Sequence, residues 1–495
     1  MRMAFHFRSP FTNPWFNKSK GIPFLSGSLC HLCGPLCNCS FGLRGVPPRI
    51  TEFHKVAGFV FALLGLGLFL SGCAMSTGFY KNVDADVSRN QFEKAAAVVR
   101  ANRDKYGDNS SVLYNLEEGL LLHYAGDYSL STEHLAAGEQ EMDELYTKSI
   151  SKIAGSFVMN DNELPYQGED FEKVYVNLFM ALNYAELGKL EDAIVEARKV
   201  DLKLNEYSQQ YSGKNSFKQD AFIRYIMGLL YEADGDVNDA FISYRQACIG
   251  YKQYDTLYNT ECPSFLKEDL VRTAGEMGFN DDLERYESEF GIAYSDSLKS
   301  MGNLLLVVYS GKGPIKEQVK LRVSIPDTGG VIHSFIVAVP KFHARQKGVR
   351  SYDVSVSGPA ERVQVATQVG ENVNRIAEKD LQDRIGLIYL KSGGRALLKF
   401  LAAEKIKKAS EAKGKGSRLE NLLSSSIVDA AYSASEQADL RIWRTLPHDI
   451  QIAQFPLPAG DYSVTVDRPD GAPLMSDHVS IGAGTVVIKI LPDVK

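Results

Sequence analysis

Polar and apolar positions along the chain follow distinct rhythms. From about residue 83 to 298, apolar residues recur every three or four positions, as on the buried stripe of an amphipathic helix. Gly126, Gly188, Gly235 and Gly278 punctuate that rhythm and predict turns between paired helices. From about Asn303 the period drops to two. NLLLVVYSG, EQVKLRVSIP, IHSFIVAVP and SYDVSVSG are short runs rich in Val, Ile and aromatic residues, bounded by Gly, Pro or Asp. DIQIAQFPLP, YSVTVDRP and TVVIKILP repeat the pattern near the C-terminus, with Ala459-Gly460-Asp461 and Pro469-Asp470-Gly471 as turns. Between the two groups, at about 372–440, the helical rhythm returns. Ile376, Leu381 and Ile385 open it, Gly393-Gly394 is expected to break it, and Ala396 to Ala409 resumes it. The expected fold class is α+β and multidomain: a helical array at 83–298, then a β-sandwich-like domain at 299–495 with a helical insertion.

A third pattern precedes both. Val56 to Leu70 reads VAGFVFALLGLGLFL, fifteen residues without a charge. That is shorter than the roughly 20 residues of a spanning helix. It has the length of a signal-peptide core, and Arg49, His54 and Lys55 stand just before it. Leu70-Ser71-Gly72-Cys73 follows, and it resembles the bacterial lipobox, Leu-small-small-Cys, whose Cys receives a diacylglycerol before the signal peptide is cut off. The resemblance implies that residues 1–72 are removed, that 73–82 is a lipid-anchored linker, and that Cys73 holds the chain to a membrane. Ala74, not Asp, follows the Cys, which in such lipoproteins implies the outer membrane, on its periplasmic side. The competing reading is a buried apolar helix that ends in Gly-Cys. Upstream, Cys30, Cys33, Cys37 and Cys39 surround His31. Their C-x2-C spacing suits a zinc knuckle, but they lack the long spacer between ligand pairs. The preferred reading is translated sequence ahead of a native start between about Leu43 and Ile50, with no metal in the mature chain.

The helical stretch repeats itself. In NLFMALNYAELGKLEDAIVEARKV, residues 177–200, Ala181, Tyr184, Gly188, Ala193 and Ala197 are placed as in a tetratricopeptide repeat. The same lattice recurs at Gly228, Tyr231, Gly235, Ala240, Tyr244 and Ala247, and more weakly at Gly119, Leu122, Gly126, Asp127 and Tyr128. Phe92 and Ala95 resemble half of an earlier unit, and Leu270 to Phe290 a degenerate capping pair. The turn glycines are 62, 47 and 43 residues apart, so the array is irregular. A generic helix bundle is the alternative. In a repeat stack each unit buries its apolar face against its neighbours and leaves a concave surface. The lattice puts Leu116, Leu120 and His123 on that surface, then Tyr175 and Leu178, then Tyr225 and Leu229. Leu113, Leu182, Glu186, Phe222 and Glu232 share it. Leu and aromatic residues at these places suit a helix or an extended peptide better than a carboxylate clamp. Burial under a neighbouring helix or under the β-rich domain explains the same residues equally well.

Tyr166-Gln167-Gly168-Glu169-Asp170-Phe171-Glu172-Lys173-Val174 leads into the second repeat. This tract, the stretch IRYIMGLLYEADGDVNDA and the tract Arg441-Ile-Trp-Arg-Thr-Leu-Pro447 resemble a family of Gram-negative tetratricopeptide-repeat outer-membrane lipoproteins. The resemblance covers most of the chain after Cys73 and implies architecture and location, without an activity. Glu169 and Glu172 fit a site, and they fit equally the acidic start of a helix.

Cys248 and Cys262 are fourteen residues apart. In an oxidising compartment they form either one bridge, closing a loop for about 3 kcal/mol, or two buried thiols. Leu397, Leu398, Leu401 and Ile406 lie against Arg395, Lys399, Lys405, Lys407 and Lys408, with Lys413, Lys415 and Arg418 beyond. Such a basic helix either lies on an anionic membrane or, the preferred reading, packs on the sandwich with its lysines in water. No H-E-x-x-H, P-loop or G-x-S-x-G is present, and Ser310-Gly311-Lys312-Gly313-Pro314 reads as a strand-end turn. No catalytic residues and no cofactor are therefore expected.

Composition matters only after the leader is subtracted. The chain holds 55 Lys+Arg and 61 Asp+Glu over 495 residues, a net charge of −6. Residues 1–72 carry seven of the basic residues and one of the acidic, leaving 48 against 60 and a net charge of −12. Nucleic-acid binding is not expected of so acidic a chain. The expected function is a lipid-anchored, periplasm-facing scaffold that binds partner proteins through its repeat groove in cell-envelope assembly. The alternative is an envelope protein that binds glycan or lipid between its two domains.

Overall fold

Each glycine that the sequence places between paired helices lies in the left-handed region, with φ of 81° at Gly126, 68° at Gly188, 84° at Gly235 and 66° at Gly278. Only a residue without a Cβ takes that conformation cheaply at a helix end. The computed structural model describes residues 77–149, 161–210, 220–326, 332–358, 362–412 and 437–495. They belong to one compact unit, Leu66–Lys495. The lipobox residues Leu70, Ser71, Gly72 and Cys73, and the four upstream cysteines, lie outside the described residues.

The helices in order are α1 (Tyr80–Val87), α2 (Phe92–Ala101), α3 (Arg103–Tyr106), α4 (Ser111–Ala125) and α5 (Tyr128–Ser149). Then come α6 (Asp170–Glu186), α7 (Leu190–Gln210), α8 (Ala221–Ala233), α9 (Val237–Tyr258), α10 (Ser264–Glu276) and α11 (Asn280–Phe290). The four glycines join α4 to α5, α6 to α7, α8 to α9 and α10 to α11 as helical hairpins. Small residues set how closely the partners approach. A Cβ at Gly228 on α8 would meet the Tyr244 ring of α9 at 2.5 Å.

The C-terminal part is built of strands β1 (Gly302–Lys312), β2 (Ile315–Pro326), β3 (Ile332–His343), β4 (Asp353–Ser357), β5 (Arg362–Ala366) and β6 (Gln368–Glu371). Helix α12 (Val373–Ala412) follows, then β7 (Pro447–Leu457), β8 (Gly460–Asp467), β9 (Pro473–Ile481) and β10 (Val486–Asp493). One four-stranded sheet has the order β10-β1-β7-β6, with β1 and β10 parallel; a second has the order β5-β4-β8-β9. Both sheets combine strands from before and after α12, so the insertion interrupts a single sheet system. β2 and β3 form a separate two-stranded ribbon.

The first sheet is a middle layer. Leu305, Val307 and Tyr309 of β1, with Ile450 and Ile452 of β7, join the core of the helices. Leu304, Leu306 and Val308, on the opposite face, pack with Val354, Val356, Val464 and Val466 of the second sheet. β1 is thus buried along nearly its whole length, and its sequence is a continuous apolar run instead of an alternation. The helical and β parts share one core and do not form separate globules.

The insertion departs from expectation in one respect. α12 runs unbroken through Gly393 and Gly394, with open space around both glycines. An isolated pair of glycines lowers helix stability by roughly 1 kcal/mol each, which tolerates continuation where neighbouring turns are good helix formers. The side chains of Lys405, Lys407 and Lys408, and residues 413–436 as a whole, lie outside the described residues. Among the described residues no helix is long and apolar enough to cross a membrane.

Candidate functional site

The helix residues expected to line a groove do not form an open one. Leu116, Leu120, Tyr175, Leu178, Tyr225 and Leu229 are fully buried, and His123 nearly so, in the core shared with the middle sheet. This corrects the expectation of an open groove at these seven residues. The apolar face that a repeat array presents is satisfied within the chain by the helix-facing side of β1, β6 and β7.

Polar atoms carried by the same helices meet partners on the sheet. His123 lies between Asn183 and Tyr309 of β1, with Nδ1 2.5 Å from Asn183 Oδ1 and Nε2 2.9 Å from Tyr309 Oη. Asn183 donates its amide to Ser131 Oγ at 2.9 Å, which makes its Oδ1 the acceptor and assigns the His123 proton to Nδ1. Burial holds the His123 imidazole down at about 4, so it is neutral at pH 7. Tyr225 donates to Gln454 of β7, whose amide reaches Asp269 Oδ2 at 3.0 Å. Tyr251 donates to the Gly370 carbonyl at 2.9 Å.

Tyr175 donates to Glu371 of β6 at 2.9 Å. Glu371 is pushed well above the usual carboxylate range, first by burial and then by the charge of Asp220. Asp220 caps α8 by accepting from the Ile223 amide at 2.8 Å. Burial still raises its carboxyl to about 7. Tyr254 and Tyr258 are each pushed up by burial and then by these two carboxylates.

Two of the three tracts singled out in the sequence, 166–174 and 441–447, meet in this interface. Glu169 is the N-cap of α6 and Glu172 its third residue, and together they form a capping box. Gly168, at φ 73°, turns the chain into this cap, where a Cβ would meet Met142 Cε at 2.9 Å. Glu172 accepts from Tyr166 Oη at 2.6 Å, from the Glu169 amide at 2.9 Å and from the Trp443 amide at 2.7 Å. Burial, then the Glu169 charge, raises its carboxyl to about 7. Glu169 is itself buried, yet the Arg384 and Lys316 charges hold it at about 2. Arg441 donates to the carbonyls of Asn109 at 2.8 Å, Leu164 at 2.9 Å and Asp161 at 2.8 Å. Arg444 lies 3.7 Å over the Tyr80 ring and pairs with Asp84 at 2.9 Å. The tract Arg441–Pro447 therefore clamps the first helices to the sheet. Sequence reading singled out both tracts but had no signal that they touch, 271 residues apart at Trp443 and Glu172.

Two cavities are relevant. One, of about 220 Å³, lies in this interface between helices and sheet and is lined by Glu232, Asp269, Arg272, Asn303 and Gln454. Arg272 pairs there with Glu232 at 2.6 Å and Asp269 at 2.9 Å. The other, of about 360 Å³, is reached by Cys248, Cys262, Lys252 and Lys267. Among the described residues, no cluster of three or more His, Cys, Asp or Glu is placed to hold a metal ion.

No family model matches the chain, and no curated protein matches it. Twelve chains of solved structures match. One is the crystal structure of BtubC (BKLC) from P. vanneervenii, 16% identical, covering 42% of this chain and 75% of that one at a TM-score of 0.30. So slight a likeness carries over neither fold nor function.

Proposed function

We propose that the chain is a lipoprotein held through Cys73 on the periplasmic side of the outer membrane, where it serves as an adaptor for partner proteins in cell-envelope assembly. Its helical hairpins act as a tetratricopeptide-like array and its two packed sheets as a β-sandwich-like cover. Because the cover fills the concave side, partners dock on the outside of the array. The observation that supports this reading is a repeat-spaced set of exposed apolar side chains. Val195 and Leu202 of α7 stand seven and fourteen residues after Gly188; Ile242 and Ile249 of α9 stand seven and fourteen after Gly235. They are 49%, 60%, 40% and 45% exposed. Matching positions in two successive hairpins, both apolar and both facing water, are what a partner surface built on a repeat provides.

Two measurements test it. The mass of the mature N-terminus must show a lipidated Cys73; an unmodified residue there sinks the anchor. A stoichiometric partner recovered from solubilised envelopes must be lost with Leu202→Asp/Ile249→Asp. Equal recovery with that folded variant rejects the outer face.

A second reading is favoured by the 220 Å³ cavity between helices and sheet, whose carboxylates, guanidinium and amides converge on one space. It suits a small polar group such as a sugar unit or a lipid headgroup. Saturable binding of such a ligand, abolished by Asn303→Leu, would establish it.

A further inference from the structure

Cys248 and Cys262 line one cavity, brought there by elements that the sequence only places near each other. Cys248 lies in the middle of α9, with its side chain buried; Cys262 lies in the loop before α10, half-buried, with its Sγ 3.7 Å from the Pro263 carbonyl. Both are free. Both line the 360 Å³ cavity, and Lys252 and Lys267 line it with them. Lys252 pairs with Glu289 at 3.0 Å, at the edge of that space. Two thiols on one cavity, an opening to solvent and cationic groups beside them are the parts of a thiol–disulfide exchange site.

We propose that Cys248 and Cys262 form a redox-active pair that takes small disulfides as its substrate class, with Cys248 as the attacking thiolate and Cys262 as the resolving thiol. The Cys248 sulfur attacks one sulfur of an exogenous disulfide, R–S–S–R. A mixed disulfide forms, and the first R–S⁻ leaves and takes up a proton. Cys262 then loses its proton and attacks the Cys248 sulfur, expelling the second R–S⁻. Two protein thiols are oxidised and one small disulfide is reduced to two thiols. The direction of attack follows from the unequal effect of each thiol on the other. The neighbouring Cys262 thiol pulls Cys248 down to about 7 against the opposing effect of burial. Cys248 and burial together push Cys262 far up. Cys248 is therefore the thiol with the larger thiolate fraction at neutral pH. The product ties the middle of α9 to the start of α10, joining the third hairpin to the fourth.

The test uses the full chain, reduced and then incubated under native conditions with oxidised glutathione. Trypsin separates the two residues into Gln246–Lys252 and Gln253–Lys267, so each is read independently by mass spectrometry. The expected result in the wild type is a linked pair of these peptides, lighter by two hydrogens than their sum. Cys262→Ser is expected to trap glutathione on Cys248, about tenfold faster at pH 7 than Cys248→Ser traps it on Cys262. Absence of the linked pair in the wild type overturns the proposal, and that result does not depend on how either variant folds. A faster adduct on Cys262 overturns the assigned roles.

Discussion

The interface between helices and sheet holds two groups of buried carboxylates with different chemistry. Around the N-cap of α6, the carboxylates have cations or backbone amides. Glu169 has Lys316 and Arg384, and Glu172 accepts from the amides of Glu169 and Trp443. Around the N-cap of α8, Glu371 and Asp220 face each other, and a proton takes the place of a cation. Buried carboxylates need a counter-charge or a proton. The cation-paired Glu169 gains stability from charge and is insensitive to pH until it protonates, whereas Glu172, raised to about 7, behaves as the second group does. The second group gains stability from neutrality and weakens as that proton is removed. One contact surface thus holds a carboxylate kept charged, Glu169, and carboxylates that favour a proton, Glu172, Glu371 and Asp220.

The largest way to break the comparison is to remove the side chain that anchors the cation-rich group. Trp443 is fully buried, with its ring 5.6 Å from that of Phe179 on α6. Trp443→Ala is expected to cost about 3–5 kcal/mol. Urea unfolding followed by circular dichroism checks it. A loss below about 1 kcal/mol would mean that this group is not where helices and sheet are held together.

Lys316→Ala comes next. It leaves Glu169 with Arg384 alone and is expected to cost about 2–3 kcal/mol at pH 7. The folded Glu169 carboxyl is held down near 2, so its contribution is present above the unfolded value of 4.5 and is lost as pH falls through 2. The deficit of the variant must therefore shrink towards pH 3. A deficit that is constant with pH would assign the effect to lost packing.

Much of this fold is legible in the sequence, and the missing parts have physical reasons. The four turn glycines and the runs that became β1, β2, β3, β4, β7, β8 and β10 are marked by strong local patterns. β5, β6 and β9 are not. VQVA and QVGE are too short, and Ser476, Asp477 and His478 break the apolar alternation of PLMSDHVSI. Leu116, Leu120, Tyr175, Leu178, Tyr225 and Leu229 share one core, but an apolar face is only half of a contact. The same Leu and Tyr pattern serves an external peptide or an internal sheet, and nothing local to Tyr175 or Tyr225 reveals Glu371 or Gln454 across the gap. Glu169 and Glu172 show the same limit: their spacing announces a capping box, while Lys316, Arg384 and Trp443 come from positions the helix pattern cannot register.

The proton-dependent group is sharpened by Glu371→Gln, which keeps an acceptor for Tyr175 and needs no proton. The folded pKa of Glu371 is raised, so its stabilisation is complete below the unfolded value of 4.5 and declines as pH rises. The variant is expected to match the wild type within about 0.5 kcal/mol at pH 5 and to exceed it by about 1–2 kcal/mol at pH 8. His123 titrates in the opposite sense: its folded pKa is lowered, so its contribution is full above 6.5 and is lost as pH falls towards 4. It is common to both proteins and cancels in the difference. Parallel pH profiles for the two proteins would show that the Glu371–Asp220 pair carries no proton linkage.

The smallest effect belongs outside the interface. Leu202 and Ile249 are as apolar as Leu178 and Leu229, yet they stand 60% and 45% exposed on the second helices of their hairpins. Polar substitution at positions this open leaves the core untouched. Leu202→Ser/Ile249→Ser is expected to change stability by no more than about 0.5 kcal/mol, read by the same urea unfolding. If these side chains form a partner surface, recovery of the partner falls at least about tenfold in the same variant. A stability loss above about 1 kcal/mol would instead place both side chains in the internal packing. Fold and binding would then share the same residues, and the division between a sealed concave side and a free outer face would fail.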